Sequence, residues 1–288
     1  MLLVLSAPLF AQKAGAPAPV SHSGSSELPS KATVESFLKH WFGYDPSLEP
    51  AVSDISPSDI PGMAQVLVTL GTGTDRKSML MYITPDQHHA IVGEVLPFGA
   101  DPFAHDRELL ARSKTGVARG PDRSTLTLVE FSDLECPVCK QAQPTMDKLL
   151  ADYPQARFVF QQFPLETVHP WAFKAALYAD CVGRENNGAF WKFVQSVYDD
   201  QLTIDTTNAD EKLRAKAAAA AVPDQETAAC AANHDTERRV RESMALGKEL
   251  DVRGTPTLFI NGRKINNVLA MPYELLKNVV DWEEKEAK

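Results

Sequence analysis

The sequence has 288 residues, of which 44% are hydrophobic and 23% are charged, a composition typical of globular proteins. This length leaves room for one large domain or two smaller ones. The formal net charge is −9 and no cluster of lysine and arginine is visible, so the composition argues against a nucleic-acid partner. We therefore expect no nucleic acid among the partners.

Residues 1–11 form an apolar run that is too short to cross a bilayer and ends in a small residue. Such a run is typical of a signal peptide, although the basic residues that usually precede it are missing. The alternative is a frayed apolar terminus. Residues 12–30 are rich in alanine, proline, serine and glycine, which predicts a disordered tether. The start of the chain thus predicts export.

The first predicted domain covers residues 31–100. Residues 33–42 have helical spacing and are followed by Gly43, and their apolar stripe consists of Val34, Phe37, Leu38 and Trp41. After a turn-rich stretch, residues 53–62, three runs are typical of β-strands and cover residues 64–70, 78–84 and 90–96. The pattern predicts a small α+β domain, in which one helix precedes an antiparallel meander.

Residues 101–124 are predicted to connect this domain to a second one. Residues 103–113 have the apolar spacing of a helix. The rest of the segment contains several residues that favour loops, namely Gly116, Gly120 and Pro121. We therefore expect a linker that consists of a helix and a loop.

The second predicted domain covers residues 125–288 and has α/β character. Its first half predicts a strand, a helix and a strand, at residues 126–131, 137–152 and 157–162. Residues 165–250 show almost no strand signal, which predicts a helical insertion. The last part predicts two strands joined by the hairpin-type turn Asn261-Gly262 and then a helix, at residues 257–260, 263–265 and 273–282.

Cys136 and Cys139 form a Cys-Pro-Val-Cys motif, which serves in other proteins either as a redox centre or as half of a zinc site. A structural zinc site needs two further ligands, usually as a second close pair, whereas Cys181 and Cys230 stand far apart. These four cysteines are an even number, consistent with two bridges in an oxidising compartment. The spacing favours redox chemistry and leaves zinc as the alternative.

Cys136 lies where a predicted strand gives way to a helix, and Pro137 suits the first helical position. Free amide N–H groups and the positive end of the helix dipole stabilise a thiolate at such a place. We therefore expect Cys136 to be the nucleophile. Cys139, one turn further along, is then the resolving thiol that releases the partner from a mixed disulfide.

Two further features point to the same site. Glu130 stands in an apolar strand, where a buried carboxyl would exchange a proton with Cys139; the alternative is an edge-strand glutamate that faces water. Thr255 and Pro256 precede the predicted strand 257–260. A cis bond between them would place a backbone edge beside the cysteines, ready to pair with an extended peptide.

The segments 129–140 and 252–260 resemble, in order and spacing, the catalytic domain of the Dsb family of bacterial disulfide-handling proteins. The resemblance covers about residues 125–285 and implies a thioredoxin-like fold with an inserted helical subdomain. Glu130 falls on the acidic position of DsbA-type oxidases, and Asp133 on a position where DsbC-type proteins carry aspartate. Val138 departs from the histidine of DsbA, which predicts a less oxidising couple than that of DsbA.

Residues 31–96 are similar to the amino-terminal dimerisation domain of DsbC and DsbG. The correspondences are the leading helix and three short motifs, at residues 60–63, 80–84 and 91–94. The similarity implies a homodimer in which both active sites face a cleft for misfolded substrates. The family resemblance also implies that Cys181 and Cys230 form a disulfide that staples the insertion, with free buried thiols as the alternative.

The resemblance implies a thiol:disulfide oxidoreductase that acts in the periplasm on exported proteins with cysteines, by isomerisation or oxidation. It implies a membrane redox partner and no bound cofactor. The alternatives are a holdase chaperone, in which the cysteines are secondary, and a dedicated protein-disulfide reductase. His169 resembles a family motif and is interpreted as a cap or packing residue, and Asp133 and Glu135 are interpreted as loop residues.

Overall fold

The computed structural model describes residues 28–71, 76–93 and 99–287. The predicted signal peptide, residues 1–11, and most of the predicted tether lie outside these ranges. The chain divides into two compact units, Met1–Leu96 and Pro97–Lys288. Each unit has its own sheet and its own apolar core.

In its described residues the first unit has one α-helix, α1 (Lys31–Phe42), which buries Val34 and Leu38. The hydroxyl of Ser30 caps this helix by accepting a hydrogen bond from the amide of Thr33 at 3.1 Å. Four antiparallel strands follow in the spatial order β1-β2-β3-β4 and span Ala51–Pro57, Ala64–Leu70, Lys77–Ile83 and Ala90–Val92. The predicted helix and antiparallel meander are thus confirmed, with one strand more than expected.

The additional strand is β1, which lies partly in the stretch predicted to be turn-rich. Its serine, aspartate and proline residues are typical of turns, yet it pairs antiparallel with β2, with a register irregularity between Val52 and Asp54. As an edge strand it keeps most of its side chains at least partly exposed, so it needs no strict apolar alternation. The predicted end of β4, residues 94–96, lies outside the described residues.

The second unit contains a five-stranded mixed sheet in the order β5-β7-β6-β8-β9. Strands β6 and β7 are parallel and the other neighbours are antiparallel. The strands β5 to β9 span Val117–Arg119, Thr127–Ser132, Arg157–Gln162, Thr257–Ile260 and Arg263–Ile265. The carboxyl end of β6 leads directly into the Cys-Pro-Val-Cys motif, so the sheet determines where the cysteines lie.

Eight described helices surround this sheet or extend it. They are α2 (Ala104–Arg112), α3 (Pro137–Asp152), the insertion helices α4 (Ala172–Glu185), α5 (Asn187–Asp199), α6 (Ala209–Ala219), α7 (Asp224–Ala231) and α8 (His234–Glu249), and the final α9 (Tyr273–Glu286). Helices α3 and α9 cover one face of the sheet, where Leu128, Met146 and Leu276 pack together. The insertion has a core of its own around Phe190 and Phe193.

Residues 101–124, expected to be a linker, lie within the second unit. Helix α2 buries Leu109 in the same cluster as residues of β6 and β8, and β5 pairs with β7. Gly116 and Gly120 flank β5 with positive φ angles of 86° and 88°. A Cβ atom on Gly120 would lie 2.1 Å from the carbonyl oxygen of Ala156. These glycines therefore allow a close approach of two strands, whereas the sequence alone suggested a loop.

Candidate active site

Cys136 and Cys139 lie at the start of α3, after the short turn that follows β6. Cys136 is the N-cap residue and Pro137 takes the first helical position. The amide of Cys136 donates to the carbonyl oxygen of Asp133 at 3.1 Å, which closes the turn between strand and helix. Cys139 follows one turn later and is fully buried, whereas 4% of Cys136 is exposed. Both cysteines are free thiols.

The two thiols differ strongly in acidity. A hydrogen bond from the Cys139 thiol lowers the pKa of Cys136 to about 6, and Thr255 and the amides of Cys139 and Val138 act in the same direction against the effect of burial. Burial raises the pKa of Cys139 well above its usual value, and the neighbouring Cys136 raises it further. At neutral pH the arrangement therefore holds a thiolate at Cys136 and a protonated thiol at Cys139.

Glu130 lies in β6 between its two neighbouring strands and is fully buried. The alternative of an edge-strand glutamate that faces water is therefore wrong. Burial raises the pKa of this carboxyl to about 7, against smaller opposing effects of Ser132 and Gln143. Neither carboxyl oxygen has a hydrogen-bond partner within the described residues. A carboxyl in this state gains or loses its proton close to neutral pH.

The loop before β8 lies beside the nucleophile. The peptide bond between Thr255 and Pro256 is cis. The Sγ of Cys136 lies 3.5 Å from the carbonyl oxygen of Thr255, a long contact in which the thiol donates only while it is protonated. The hydroxyl oxygen of Thr255 is buried and has no hydrogen-bond partner within the described residues. The structure thus brings together five predicted site residues: Cys136, Cys139, Glu130, Thr255 and Pro256.

Asp133 connects the active-site turn to the loop before α4. Its carboxylate is fully buried and accepts hydrogen bonds from the amides of Glu135 and Leu165, each at 2.8 Å. It also contacts Nδ1 of His169 at 2.7 Å. The carboxylate of Glu135 in turn accepts from the amide of Trp171 at 2.6 Å. Both acids lie in a loop, as the sequence predicted, and their carboxylates also position the active-site turn against the segment before α4.

Three polar side chains near the cysteines were not predicted from the sequence. The side-chain amide of Gln201 donates to the carbonyl oxygens of Leu134 and Cys136 at 2.9 and 3.1 Å. The hydroxyl groups of Tyr198 and Ser132 lie 2.9 Å apart behind Cys139, and both residues are buried. Their only sequence signal is a polar group in an apolar neighbourhood, which many buried residues share.

Cys181 and Cys230 are joined by a disulfide in the insertion, with an S–S distance of 2.00 Å. It links α4 to α7. Among the described residues no group of three or more histidine, cysteine, aspartate or glutamate side chains is placed to hold a metal ion.

The sequence profile described as Thioredoxin matches residues 112–281, which is more than half of the chain. The chain belongs to the thioredoxin family. This match includes the cysteine motif and the cis-proline loop of the thioredoxin-like unit. It begins after the small first unit, whose similarity to the DsbC and DsbG dimerisation domain stays a prediction.

Curated relatives match only part of their own length. The Na(+)/H(+) antiporter NhaA 3 of Salinispora tropica is 31% identical over 160 residues, which cover 51% of this chain and 22% of the antiporter. The match thus spans about a fifth of that relative. No helix in the described part of this chain is long and apolar enough to cross a membrane.

Solved structures show the same fold. The catalytic domain of Proteus mirabilis ScsC gives a TM-score of 0.53 at 20% identity and covers 64% of this chain and 97% of that chain. A periplasmic thioredoxin-like protein from Salmonella enterica serovar Typhimurium gives 0.52 at 23% identity and covers 63% and 97%. The predicted fold class, a thioredoxin-like α/β fold with a helical insertion after a small α+β unit, is confirmed.

Proposed function

We propose that this protein is a thiol:disulfide oxidoreductase that exchanges disulfides with cysteines of exported proteins through Cys136 and Cys139. The observation that carries the proposal is the difference in acidity between the two thiols, with the pKa of Cys136 lowered to about 6 and that of Cys139 raised. A nucleophile needs to be ionised and a resolving thiol needs to stay protonated until the mixed disulfide has formed.

The steps follow from this arrangement. The thiolate of Cys136 attacks one sulfur of a substrate disulfide, forms a mixed disulfide and releases the other substrate sulfur as a thiolate. Cys139 then gives its proton to the Glu130 carboxylate and attacks the Sγ of Cys136, so the substrate leaves reduced and the active site becomes a disulfide. Oxidation runs through the same steps in reverse, and isomerisation uses the first step followed by attack of another substrate thiol.

The cis-proline loop supports a polypeptide substrate. Because the carbonyl oxygen of Thr255 lies 3.5 Å from the Sγ of Cys136, an extended chain that pairs with this loop brings its own cysteine to the nucleophile. Three aliphatic side chains near the motif are exposed, namely Val138, Val168 and Leu202. They suit the apolar segments that unfolded proteins expose. Exposed apolar side chains also suit a holdase chaperone, which is the second candidate function.

The decisive experiment replaces Cys136 with serine and measures insulin reduction and the refolding of scrambled ribonuclease. Both activities should be lost, and retention of either one would contradict the assignment. A Cys139→Ala variant should accumulate mixed disulfides with its substrates, whereas the double variant without both cysteines serves as the control. Suppression of aggregation by that double variant, at the level of the unchanged protein, would favour the chaperone.

We further propose a homodimer formed through the first unit. In the described residues β4 has a strand neighbour on one side only, and its Ile91 and Val92 are 52% and 61% exposed. An exposed apolar edge strand favours pairing with a second copy.

Export to the periplasm and a membrane redox partner complete the proposal. The redox state of Cys136 and Cys139 in cells distinguishes the direction, because a reduced pair fits an isomerase or reductase and an oxidised pair fits an oxidase.

A further inference from the structure

The disulfide between Cys181 and Cys230 is unequally accessible. Cys181, in α4, is buried with 4% exposure, whereas Cys230, in α7, is partly exposed. An incoming thiolate reacts with a disulfide only along a free path to one of the two sulfurs. A thiol in solution therefore reaches the Sγ of Cys230 first.

A guanidinium group contacts the same sulfur. The Nη2 of Arg184 donates to the Sγ of Cys230 at 2.8 Å and lies 3.7 Å from the Sγ of Cys181. The hydroxyl of Thr236 lies 3.5 Å and 3.7 Å from these two sulfurs, but it accepts from the same Nη2 at 2.7 Å and donates to the carbonyl oxygen of Cys230 at 2.8 Å. A neutral disulfide gains little from the guanidinium group, whereas a thiolate is stabilised by an adjacent arginine.

An ion-pair cluster lies next to the disulfide, since Asp180 directly precedes Cys181 in α4. The carboxylate of Asp180 is nearly buried and pairs with two guanidinium groups, those of Arg184 at 3.0 Å and Arg239 at 3.1 Å. One carboxylate balances only one of these two cations. Because Arg184 bridges the carboxylate and the sulfur, the remaining charge favours the ionised form of Cys230.

We propose that the Cys181–Cys230 disulfide is a second site of thiol–disulfide exchange, at which a small monothiol of the glutathione class forms a mixed disulfide with Cys230. The monothiol thiolate bonds to the Sγ of Cys230 and breaks the bond between the two cysteines, and Cys181 leaves as a thiolate that takes a proton from water. A second monothiol attacks the sulfur of the bound one. Cys230 then leaves as a thiolate paired with Arg184, and the two monothiols depart as one disulfide.

This exchange is independent of the active-site pair, because it uses other sulfurs and a solvent thiol. Its consequence lies in the insertion, where the disulfide closes a loop with a sequence separation of 49 residues between α4 and α7. Reduction opens this loop. The insertion thereby responds to the thiol content of its compartment.

The test uses the full chain with Cys136 and Cys139 both replaced by serine, equilibrated in glutathione buffers at neutral pH. Free thiols are counted by alkylation with a maleimide polymer. Replacement of Arg184 by glutamine should raise the ratio of reduced to oxidised glutathione needed for half-reduction by about tenfold, since one pKa unit in a thiolate corresponds to that factor. Mass spectrometry of quenched samples should find the glutathione adduct on Cys230.

The matched control is Arg112→Gln, which removes an arginine from an ion pair of the same i,i+4 type, with Glu108. It should leave the half-reduction ratio within about twofold of the parent, which corresponds to well under one pKa unit. An Arg184→Lys variant keeps the cation and should stay within about threefold of the parent. If Arg184→Gln fails to fold, the position of the glutathione adduct in the parent, on Cys230 or on Cys181, decides the proposal. Equal ratios for all four proteins, an adduct on Cys181, or a disulfide that stays intact at every glutathione ratio would each overturn the proposal.

Discussion

Gln201, in the helical insertion, donates from its side-chain amide to the carbonyl oxygen of Cys136, 3.1 Å away. The same amide group also donates to the carbonyl oxygen of Leu134 at 2.9 Å. Gln201 is itself buried. A residue far along the chain therefore determines the conformation of the turn that carries the nucleophile.

Replacement of Gln201 by alanine should lower the free energy of unfolding by about 1–3 kcal/mol, because two buried carbonyl groups lose their donor. Urea denaturation measures this loss. The control is Gln195→Ala on α5, whose side chain is exposed and donates only to Asp199 at the surface. It should change the free energy of unfolding by less than about 0.5 kcal/mol. Equal losses in the two variants would contradict a specific role for Gln201.

Alkylation of Cys136 by iodoacetamide should become faster as the pH rises through about 6, because the pKa of this thiol is lowered to about 6 by the hydrogen bond from Cys139. The midpoint should move up toward the usual cysteine value of about 8.5 in a Cys139→Ala variant. Stopped-flow rates between pH 4 and pH 10 measure both midpoints. A midpoint near 8.5 in the unchanged protein would rule out a stabilised thiolate.

Glu130 should make stability depend on pH. Its pKa is raised from 4.5 to about 7 in the folded chain, so the stability provided by the protonated carboxyl is present below pH 4.5 and is lost as the pH rises through 7. A Glu130→Gln variant lacks this titration. Relative to that variant, the unchanged protein should lose about 3 kcal/mol between pH 4.5 and pH 8.5.

This comparison is made by urea denaturation with the active-site disulfide formed, so that the thiols do not titrate. The control is Glu108→Gln, an exposed position on α2, which should show no such pH-dependent difference. A constant difference between the unchanged protein and Glu130→Gln over the whole pH range would show that folding does not shift the pKa of this carboxyl.

The residue between the cysteines should tune the redox couple. Val138 is 40% exposed, and its side chain, unlike its backbone amide, offers no charge or hydrogen bond to the neighbouring thiolate. A Val138→His variant should shift the equilibrium with glutathione toward the reduced form by about tenfold, because a histidine there stabilises the Cys136 thiolate. Val168→His, on the neighbouring loop, is the control and should shift the equilibrium far less. A shift toward the oxidised form would contradict the argument.

The proposed dimer should depend on the edge strand of the first unit. A charge at Ile91, which is 52% exposed on β4, opposes the pairing of two apolar edges, so Ile91→Lys should be monomeric. Leu275→Lys on α9 has similar exposure, at 50%, and should stay dimeric. Light scattering after size-exclusion chromatography gives the two masses. A monomeric unchanged protein at micromolar concentration would contradict the proposal.

Features with local causes were predictable from the sequence. The turn between β8 and β9 needs residues that accept positive φ angles, and Asn261 and Gly262 adopt 46° and 89°. The position of Cys136 at the start of a helix follows from the adjacent Pro137 in the same way. Such signals act over a few residues, so spacing and residue type are sufficient to recognise them.

Features that depend on distant partners were not predictable. Gln201 and the carbonyl oxygen of Cys136 are 65 residues apart, and no periodic pattern marks two groups that meet only after folding. The contact between Asp133 and His169 is of the same kind. Strand β5 was missed because three residues between two glycines are too short to show an alternating pattern, and its pairing with β7 defines it.

The hydrogen bonds of Asp133 and Gln201 limit how this protein can be recombined with its relatives. An insertion that lacks the amide of Gln201 would leave the nucleophile's turn without its donor. A turn that lacks the carboxylate of Asp133 would leave the amide of Leu165 without its acceptor. Chimeras should therefore function only when the turn at residues 132–136 is transferred together with residues 163–201. For an engineer, these two segments form one exchangeable part, although the sequence separates them by a complete helix and strand.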